Sequence, residues 1–108
     1  MNIHDQLTPV LDQIESHLRA LGFWELMAPD QSALNSQLPF SHDTLEFYQW
    51  LQWIFIPRTR MLIRNQAELP GQSDIHSMAE LYFETSNMDT GKLLLAIQSF
   101  DRLLSNQQ

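Results

Sequence analysis

Apolar residues recur at spacings of three and four along most of this chain, which is the period of an amphipathic α-helix. The first such pattern covers residues 3–21 and predicts a helix that begins no later than Pro9, with Thr8 available as an N-cap. Gly22 follows at the left-handed C′ position, where glycine commonly ends a helix. Phe23 is then placed to fold back on the last turn, as in a Schellman motif.

Three further helices are predicted after this one. Asp43 and Glu46 have the spacing of a capping box and open a second helix. Ser77 and Glu80 have the same spacing and open a third. Leucines and other apolar residues at helical spacing predict a last helix, with Asp89 available as its cap, and the final NQQ is expected to fray.

The fold class that follows is all-α. The chain has only three glycines, and no alternating β-branched run or hairpin dipeptide is present. Asp30 is placed to cap a short helical turn before Pro39 stops it. The sequence therefore predicts one domain over residues 1–108, a compact bundle of four main helices with one extra short turn.

The aromatic stretch at residues 45–56 has two faces when it is drawn as a helix of about 100° per residue. With Glu46 at zero, an arc from about 80° to about 200° is predicted to face the core, and it contains Phe47, Tyr48, Leu51, Ile54 and Phe55. Trp50, at about 40°, and Trp53, at about 340°, lie at the edge of the polar face. They are either buried by a neighbouring element or exposed for a partner.

Pro57 is expected to make this central helix kink or restart, because it has no N–H for the carbonyl of Trp53 and its ring crowds that carbonyl. If the helical phase continues, Arg60 falls at about 320° and Arg64 at about 0°, in line with the tryptophans. Arg58 falls at about 120°, on the core side, where an ion-pair role is expected.

Two interpretations of this stretch remain open. One is a surface for a protein or for RNA, with these candidate partner-binding residues: Trp50, Trp53, Arg58, Arg60 and Arg64. In the other, which we favour for the charges, the arginines offset a helix dipole and pair with the surplus acids.

The run LPFSHDTLEFYQWLQWIFIPR, followed downstream by LPG, resembles the signature of the YqcC-like family of small bacterial all-helical proteins. The resemblance extends over most of the chain. The matching positions are Pro39, Phe40, Asp43, Thr44, Glu46, Trp50, Leu51, Gln52, Trp53, Ile56, Pro57, Arg58, Leu69 and Pro70. Among them, the resemblance implies a structural role for Pro39, Phe40, Asp43, Thr44 and Pro57. Arg60, Arg64 and His42 are not part of the pattern.

The resemblance also implies a link to tRNA pseudouridine synthase C, a name that is sometimes attached to the family. A chain of 108 residues is too short to be such an enzyme, and it has no recognisable catalytic aspartate motif. Synthase activity is therefore not expected of it. An accessory protein that binds RNA during tRNA modification remains an alternative to a protein-interaction module.

The charge of the chain limits its partners. Thirteen acids against six bases give a formal charge of −7, which opposes adhesion to nucleic acid and to anionic membranes. The expected partner is another protein or a second copy; RNA is disfavoured, and neither DNA nor a membrane is expected. The N-terminus lacks the basic and apolar regions of a secretory signal, so a cytoplasmic location is expected.

Catalytic chemistry has little support in the sequence. There is no cysteine, no two-histidine metal spacing, and no GxSxG or phosphate-loop pattern. No cofactor, metal or catalytic residue is predicted. His42 and Asp43 are the candidates for a second alternative, a small hydrolase or metal-dependent enzyme, although Asp43 is better explained as a helix cap.

Overall fold

The computed structural model describes residues 2–106, and its regular structure over that range is helical. The helices are α1 (Ile3–Ala20), α2 (Gln31–Leu34), α3 (Phe47–Trp50), α4 (Ile56–Arg64), α5 (Ile75–Phe83) and α6 (Gly91–Ser105). A 3₁₀ turn lies at Pro39–Ser41 and a π turn at Leu51–Phe55. The predicted all-α fold is confirmed, including the short helical turn after Asp30. Of the residues expected to fray, 107 and 108 lie outside the described range.

α1 begins at Ile3, within the predicted range, but its N-cap is not the predicted candidate. Asn2 is the N-cap, and its side chain accepts a hydrogen bond of 2.9 Å from the Asp5 N–H. Thr8 is therefore not the cap, and Pro9 lies inside the helix rather than in its first turn.

The end of α1 confirms the predicted Schellman motif. The Phe23 N–H donates to the Leu18 carbonyl over 2.9 Å, and the Gly22 N–H donates to the Arg19 carbonyl over 3.1 Å. Gly22 has a φ of 81°, the left-handed conformation that this motif requires. The chain therefore turns sharply here and enters the loop of residues 23–30.

Gly22→Ala is expected to lower the free energy of unfolding by about 1 kcal/mol, because an L side chain is strained at positive φ. A Cβ at this position meets no atom within 4 Å, so the cost comes from the backbone alone. Urea unfolding followed by circular dichroism measures it. Gly71→Ala is the matched control, since that glycine also has open space but lacks a positive φ. Equal losses in the two variants would contradict the explanation.

Residues 47–64 form the central helix, which consists of α3, the π turn and α4. In the π turn the Ile56 N–H donates to the Leu51 carbonyl, five residues back instead of four. Pro57 then lies in the first turn of α4, where the missing N–H is tolerated. The irregularity predicted at Pro57 is thus a change of helix type. The extra residue rotates everything after it by about 100° relative to a regular helix.

The core lies where α1 packs against α6 and α4, and where α5 packs against α6. Its buried residues include Leu7, Leu11, Ile14 and Leu18 of α1, Phe47, Leu51 and Phe55 of the central helix, and Leu93, Ile97, Phe100 and Leu104 of α6. The predicted core arc of the central helix is confirmed at Phe47, Leu51 and Phe55, whereas Tyr48 and Ile54 are only half-buried.

The start of α5 is held by two carboxylates. Asp74 is the N-cap and accepts a hydrogen bond of 3.3 Å from the Ser77 N–H, so the predicted capping box that begins at Ser77 is wrong. Asp101, a buried residue of α6, accepts hydrogen bonds of 3.1 and 2.8 Å from the N–H groups of Ile75 and His76. A side chain of α6 therefore accepts hydrogen bonds from backbone N–H groups that have no partner within α5 itself.

Candidate functional site

One face of the central helix contains a groove of about 480 Å³, which we call the tryptophan groove. It is lined by Glu15, Trp24, Gln52, Trp53, Ile56, Pro57, Arg60, Met61 and Arg64. The structure therefore brings together three of the five candidate partner-binding residues, namely Trp53, Arg60 and Arg64, beside Pro57. Most of the groove surface is apolar, with the arginines along it.

Trp50 lies elsewhere, in an aromatic cluster. Its ring centroid is 4.9 Å from that of Phe40, 5.9 Å from that of Phe47 and 5.4 Å from that of Phe55. Such pairs contribute about 0.5–1.5 kcal/mol each beyond burial. Trp50 is half-buried, so its described contacts give it a role in packing.

Arg58 is exposed, and the prediction that it faces the core is wrong. The π turn rotates this part of the helix by about 100°, the angle between successive residues. The core-facing position therefore passes from Arg58 to Thr59, which is 6% exposed. Arg58 and Thr59 line a different groove, together with residues such as Leu69 and Pro70.

The charge of Arg60 is largely matched by acids of α1. Its Nη2 atom lies 2.9 Å from Asp12 and 3.4 Å from Glu15. Arg19 lies 3.0 Å from Glu15 and also stacks over the ring of Trp24 at 4.4 Å. For Arg60, the interpretation of arginines paired with surplus acids is confirmed.

Arg64 occupies the last turn of α4 and is exposed. Within residues 2–106 it makes no ion pair, unlike Arg60. It is thus the groove arginine whose charge is available to a partner, and it also offsets the C-terminal end of the helix dipole.

Glu25 is the central contact that sequence reasoning missed. Its carboxylate accepts hydrogen bonds from the Gln49 amide, at 3.2 Å to each oxygen, and from the Trp53 indole at 3.0 Å. The buried Gln52 side chain accepts from the Glu25 N–H and donates to the Glu25 carbonyl, both at 2.8 Å. We call these residues, Glu25, Gln49, Gln52 and Trp53, the loop latch. The polar atoms of Gln49, Gln52 and Trp53 thus fix the loop of residues 23–30 to the central helix.

The two residues that follow Glu25 in the chain are strongly exposed. Leu26 is 96% exposed and Met27 is 84% exposed, and we call this pair the loop tip. The only sequence signal for it is an apolar doublet in a stretch without helical periodicity, directly after an acid. Such a doublet is easily assigned to a core, because exposure depends on the direction in which the latch holds the loop.

The residues near position 40 that match the family pattern form the segment that precedes the central helix. Pro39 opens the 3₁₀ turn, and Phe40 has a φ of 56° while its ring contacts Trp50. The Thr44 hydroxyl donates to the Ala33 carbonyl at 2.7 Å. Through these contacts Phe40 meets the central helix and the Thr44 hydroxyl meets the backbone of Ala33.

Asp43 does not cap the aromatic helix, and that prediction is wrong. It accepts a hydrogen bond from the Ser36 hydroxyl instead, while Glu46 is the N-cap of α3. The Gln49 side chain accepts a hydrogen bond of 2.8 Å from the Glu46 N–H, so the capping pair begins at Glu46 instead of Asp43. His42 and Asp43 are both exposed.

Two tyrosines near these elements stay protonated at neutral pH. Burial raises the pKa of Tyr48, and the negative charges of Glu25 and Glu46 raise it further. Burial and a hydrogen bond to Glu46 raise the pKa of Tyr82 well above its ordinary value. Tyr82 therefore donates to Glu46 and ties α5 to the start of the central helix.

Neither a metal cluster nor a membrane helix is found in the described part of the chain. Over residues 2–106, no group of three or more His, Asp or Glu side chains is arranged to hold a metal ion. Over the same residues, each helix is too short or too polar to cross a bilayer.

Comparison with known proteins finds relatives over nearly the whole chain. The family model described as DUF446, tRNA pseudouridine synthase C, matches residues 6–103. The uncharacterized protein YqcC of Escherichia coli is 31% identical over 98% of this chain and 97% of its own length. An uncharacterized protein of Haemophilus influenzae is 30% identical over 98% of this chain and 99% of its own length.

A solved structure and a longer relative complete the comparison. The solution NMR structure of Escherichia coli YqcC superposes with a TM-score of 0.87 at 30% identity, covering 100% of this chain and 92% of that chain. A protein of Pectobacterium carotovorum named tRNA pseudouridine synthase C is 40% identical over 70 residues, which are 65% of this chain but 19% of that protein.

Proposed function

This chain belongs to the YqcC-like family described as DUF446, and from that premise we propose that it is a non-enzymatic module that docks onto a tRNA pseudouridine synthase. The docking surface in this proposal is the tryptophan groove of the central helix. The observation that carries it is the composition of that groove, and the choice of partner comes from the longer relative.

The groove has the side chains that protein interfaces use. Trp24 and Trp53 are half-buried, Pro57 is exposed and Met61 is 57% exposed. Aromatic residues, methionine and arginine are enriched in interfaces, where a few residues, most often Trp, Tyr and Arg, supply most of the binding energy. Arg64 adds an exposed positive charge to this apolar surface, which favours a partner with acidic groups around an apolar area.

The choice of a synthase as partner rests on the Pectobacterium protein. In that protein a segment similar to 65% of this chain accounts for 19% of a polypeptide named tRNA pseudouridine synthase C. Most of that polypeptide therefore lies outside the match. Its name describes the whole polypeptide and does not show that the matched segment is catalytic. Segments joined in one polypeptide meet at high effective concentration, so a contact between them is favoured. We infer that this chain makes the corresponding contact as a separate protein.

An accessory RNA-binding protein is the second candidate. Arg64 beside Trp24 and Trp53 is the feature that favours it, because bases stack on aromatic rings while cations contact phosphate. The formal charge of −7 and the pairing of Arg60 with α1 acids oppose it. We therefore place direct RNA binding second.

The test is a titration of the purified chain against purified tRNA pseudouridine synthase C from the bacterium that encodes it. Isothermal titration calorimetry is expected to give a dissociation constant of about 1 μM or tighter. Met61→Asp is expected to weaken binding by about 10-fold or more, because it places a charge in the apolar groove. The melting temperature should change little, since Met61 is largely in water.

The matched control is Leu95→Asp, which places the same charge at a leucine of α6 that is 63% exposed and outside the groove. Equal losses in the two variants would remove the groove from the proposal. No complex at about 100 μM would overturn it altogether. Filter binding to tRNA at two salt concentrations tests the second candidate, which requires a steep salt dependence.

A further inference from the structure

The loop tip, Leu26 and Met27, is the most exposed large apolar feature of the described residues. Leu26 is 96% exposed and Met27 is 84% exposed, so neither side chain is buried in the core. Apolar side chains left in water give up the free energy that burial would supply. Docking against an apolar pocket would recover that free energy.

The loop latch fixes the backbone from which the tip projects. Gln52 binds both the N–H and the carbonyl of Glu25, the residue directly before Leu26. Gln49 and Trp53 hold the Glu25 carboxylate from the same side. A loop that is already ordered loses less conformational entropy when it binds, so the latch favours binding through the tip.

The tip and the tryptophan groove belong to one surface. Trp24 lines the groove and precedes Glu25 in the chain, while Gln52 and Trp53 both line the groove and hold the latch. The loop therefore leaves the edge of the groove directly. Arg19 stacks on Trp24 at this edge while it pairs with Glu15, so the available positive charge of the groove is that of Arg64.

We propose that Leu26 and Met27 form the anchor of the docking surface and enter an apolar pocket with an acidic rim on the synthase. The loop latch positions this anchor without entering the pocket. This inference rests on the proposed function, because it takes the same partner. The occupant follows from the Pectobacterium polypeptide, and the acidic rim follows from the exposed charge of Arg64.

The test is a double variant, Leu26→Asp with Met27→Asp, titrated against the same purified synthase. Binding is expected to weaken by about 30-fold or more, the loss typical of a hot spot. The double variant should fold like the parent chain, because neither side chain is in the core. The matched control replaces a leucine and a methionine elsewhere, Leu81→Asp with Met88→Asp, at 68% and 46% exposure. It is expected to bind as the parent chain does.

The outcomes separate this inference from the proposed function. If the parent chain binds the synthase and the tip variant binds equally well, the anchor is overturned while the docking proposal stands. If the tip and control variants lose affinity equally, the anchor is also overturned. If the parent chain binds tRNA and not the synthase, both proposals fall. If sedimentation shows that the tip variants instead break a dimer of this chain, the synthase pocket is overturned.

Discussion

Replacing Asp101 with alanine is expected to lower the free energy of unfolding by about 3 kcal/mol, among the largest effects of a polar substitution in this chain. The carboxylate is 8% exposed and accepts from the Ser73 hydroxyl at 2.6 Å as well as from the N–H groups of Ile75 and His76. Without it, two N–H groups of the first turn of α5 lose their partner, and the Ile75 N–H is buried. The negative charge at that helix N-terminus is lost as well.

Urea unfolding measures this loss, and thermal unfolding should show a melting temperature lower by more than about 10 °C. Arg102→Ala is the matched control, because Arg102 is the neighbouring residue of α6 and is exposed. Its effect should stay within about 0.5 kcal/mol. Asp101→Asn retains one acceptor oxygen and is expected to fall between the two. If Asp101→Ala were no more destabilising than Arg102→Ala, the capping role of Asp101 would be refuted.

The elements that the sequence predicts correctly are those whose signals are local. The Schellman motif depends on Gly22 and Phe23 alone, and both hydrogen bonds appear as expected. The caps that the sequence assigned wrongly involve competition between neighbouring polar residues. Ser77 has the form of a cap, yet Asp74 lies three residues earlier and Asp101 reaches the same turn from α6. A pattern of spacings does not show that such a distant acceptor is present.

The π turn explains why the helical angles fail after Pro57. Up to Leu51 a regular helix describes the chain, and Phe47 and Leu51 face the core as predicted. One extra residue in the following turn then changes every later position by about 100°. The sequence shows that Pro57 disturbs the helix, but it does not show how the disturbance is absorbed. Arg58 was therefore assigned to the wrong side.

The candidate site was predicted only in part for a similar reason. Trp53 was recognised as a boundary residue, but its indole partner, Glu25, is 28 residues away in the chain. Gln52 was recognised as part of the family pattern, and its contact with the same loop is 27 residues away. Contacts of this kind arise from tertiary packing and leave no local spacing. The exposed tip, Leu26 and Met27, becomes visible only when the latch is known.

Gln52→Leu is expected to lower the free energy of unfolding by about 2–3 kcal/mol, because it leaves the N–H and the carbonyl of Glu25 without their protein partner. The side chain is 4% exposed, so leucine fills a similar volume while removing both polar groups. Gln52→Glu should be at least as damaging, since it sets a carboxylate against the Glu25 carbonyl. Hydrogen exchange should also show faster exchange of the Glu25 N–H.

Gln72→Leu provides the matched control, because the same replacement is made at an exposed glutamine and should change stability by less than about 0.5 kcal/mol. If the loop latch positions the loop tip, Gln52→Leu should also change the affinity for the synthase. Leu26 and Met27 remain in that variant, yet their loop loses both of its backbone contacts to residue 52, so affinity for the synthase should fall although neither side chain of the loop tip has changed. Unchanged exchange at Glu25 together with unchanged stability would refute the latch. Faster exchange with full affinity would show that the latch serves the fold alone.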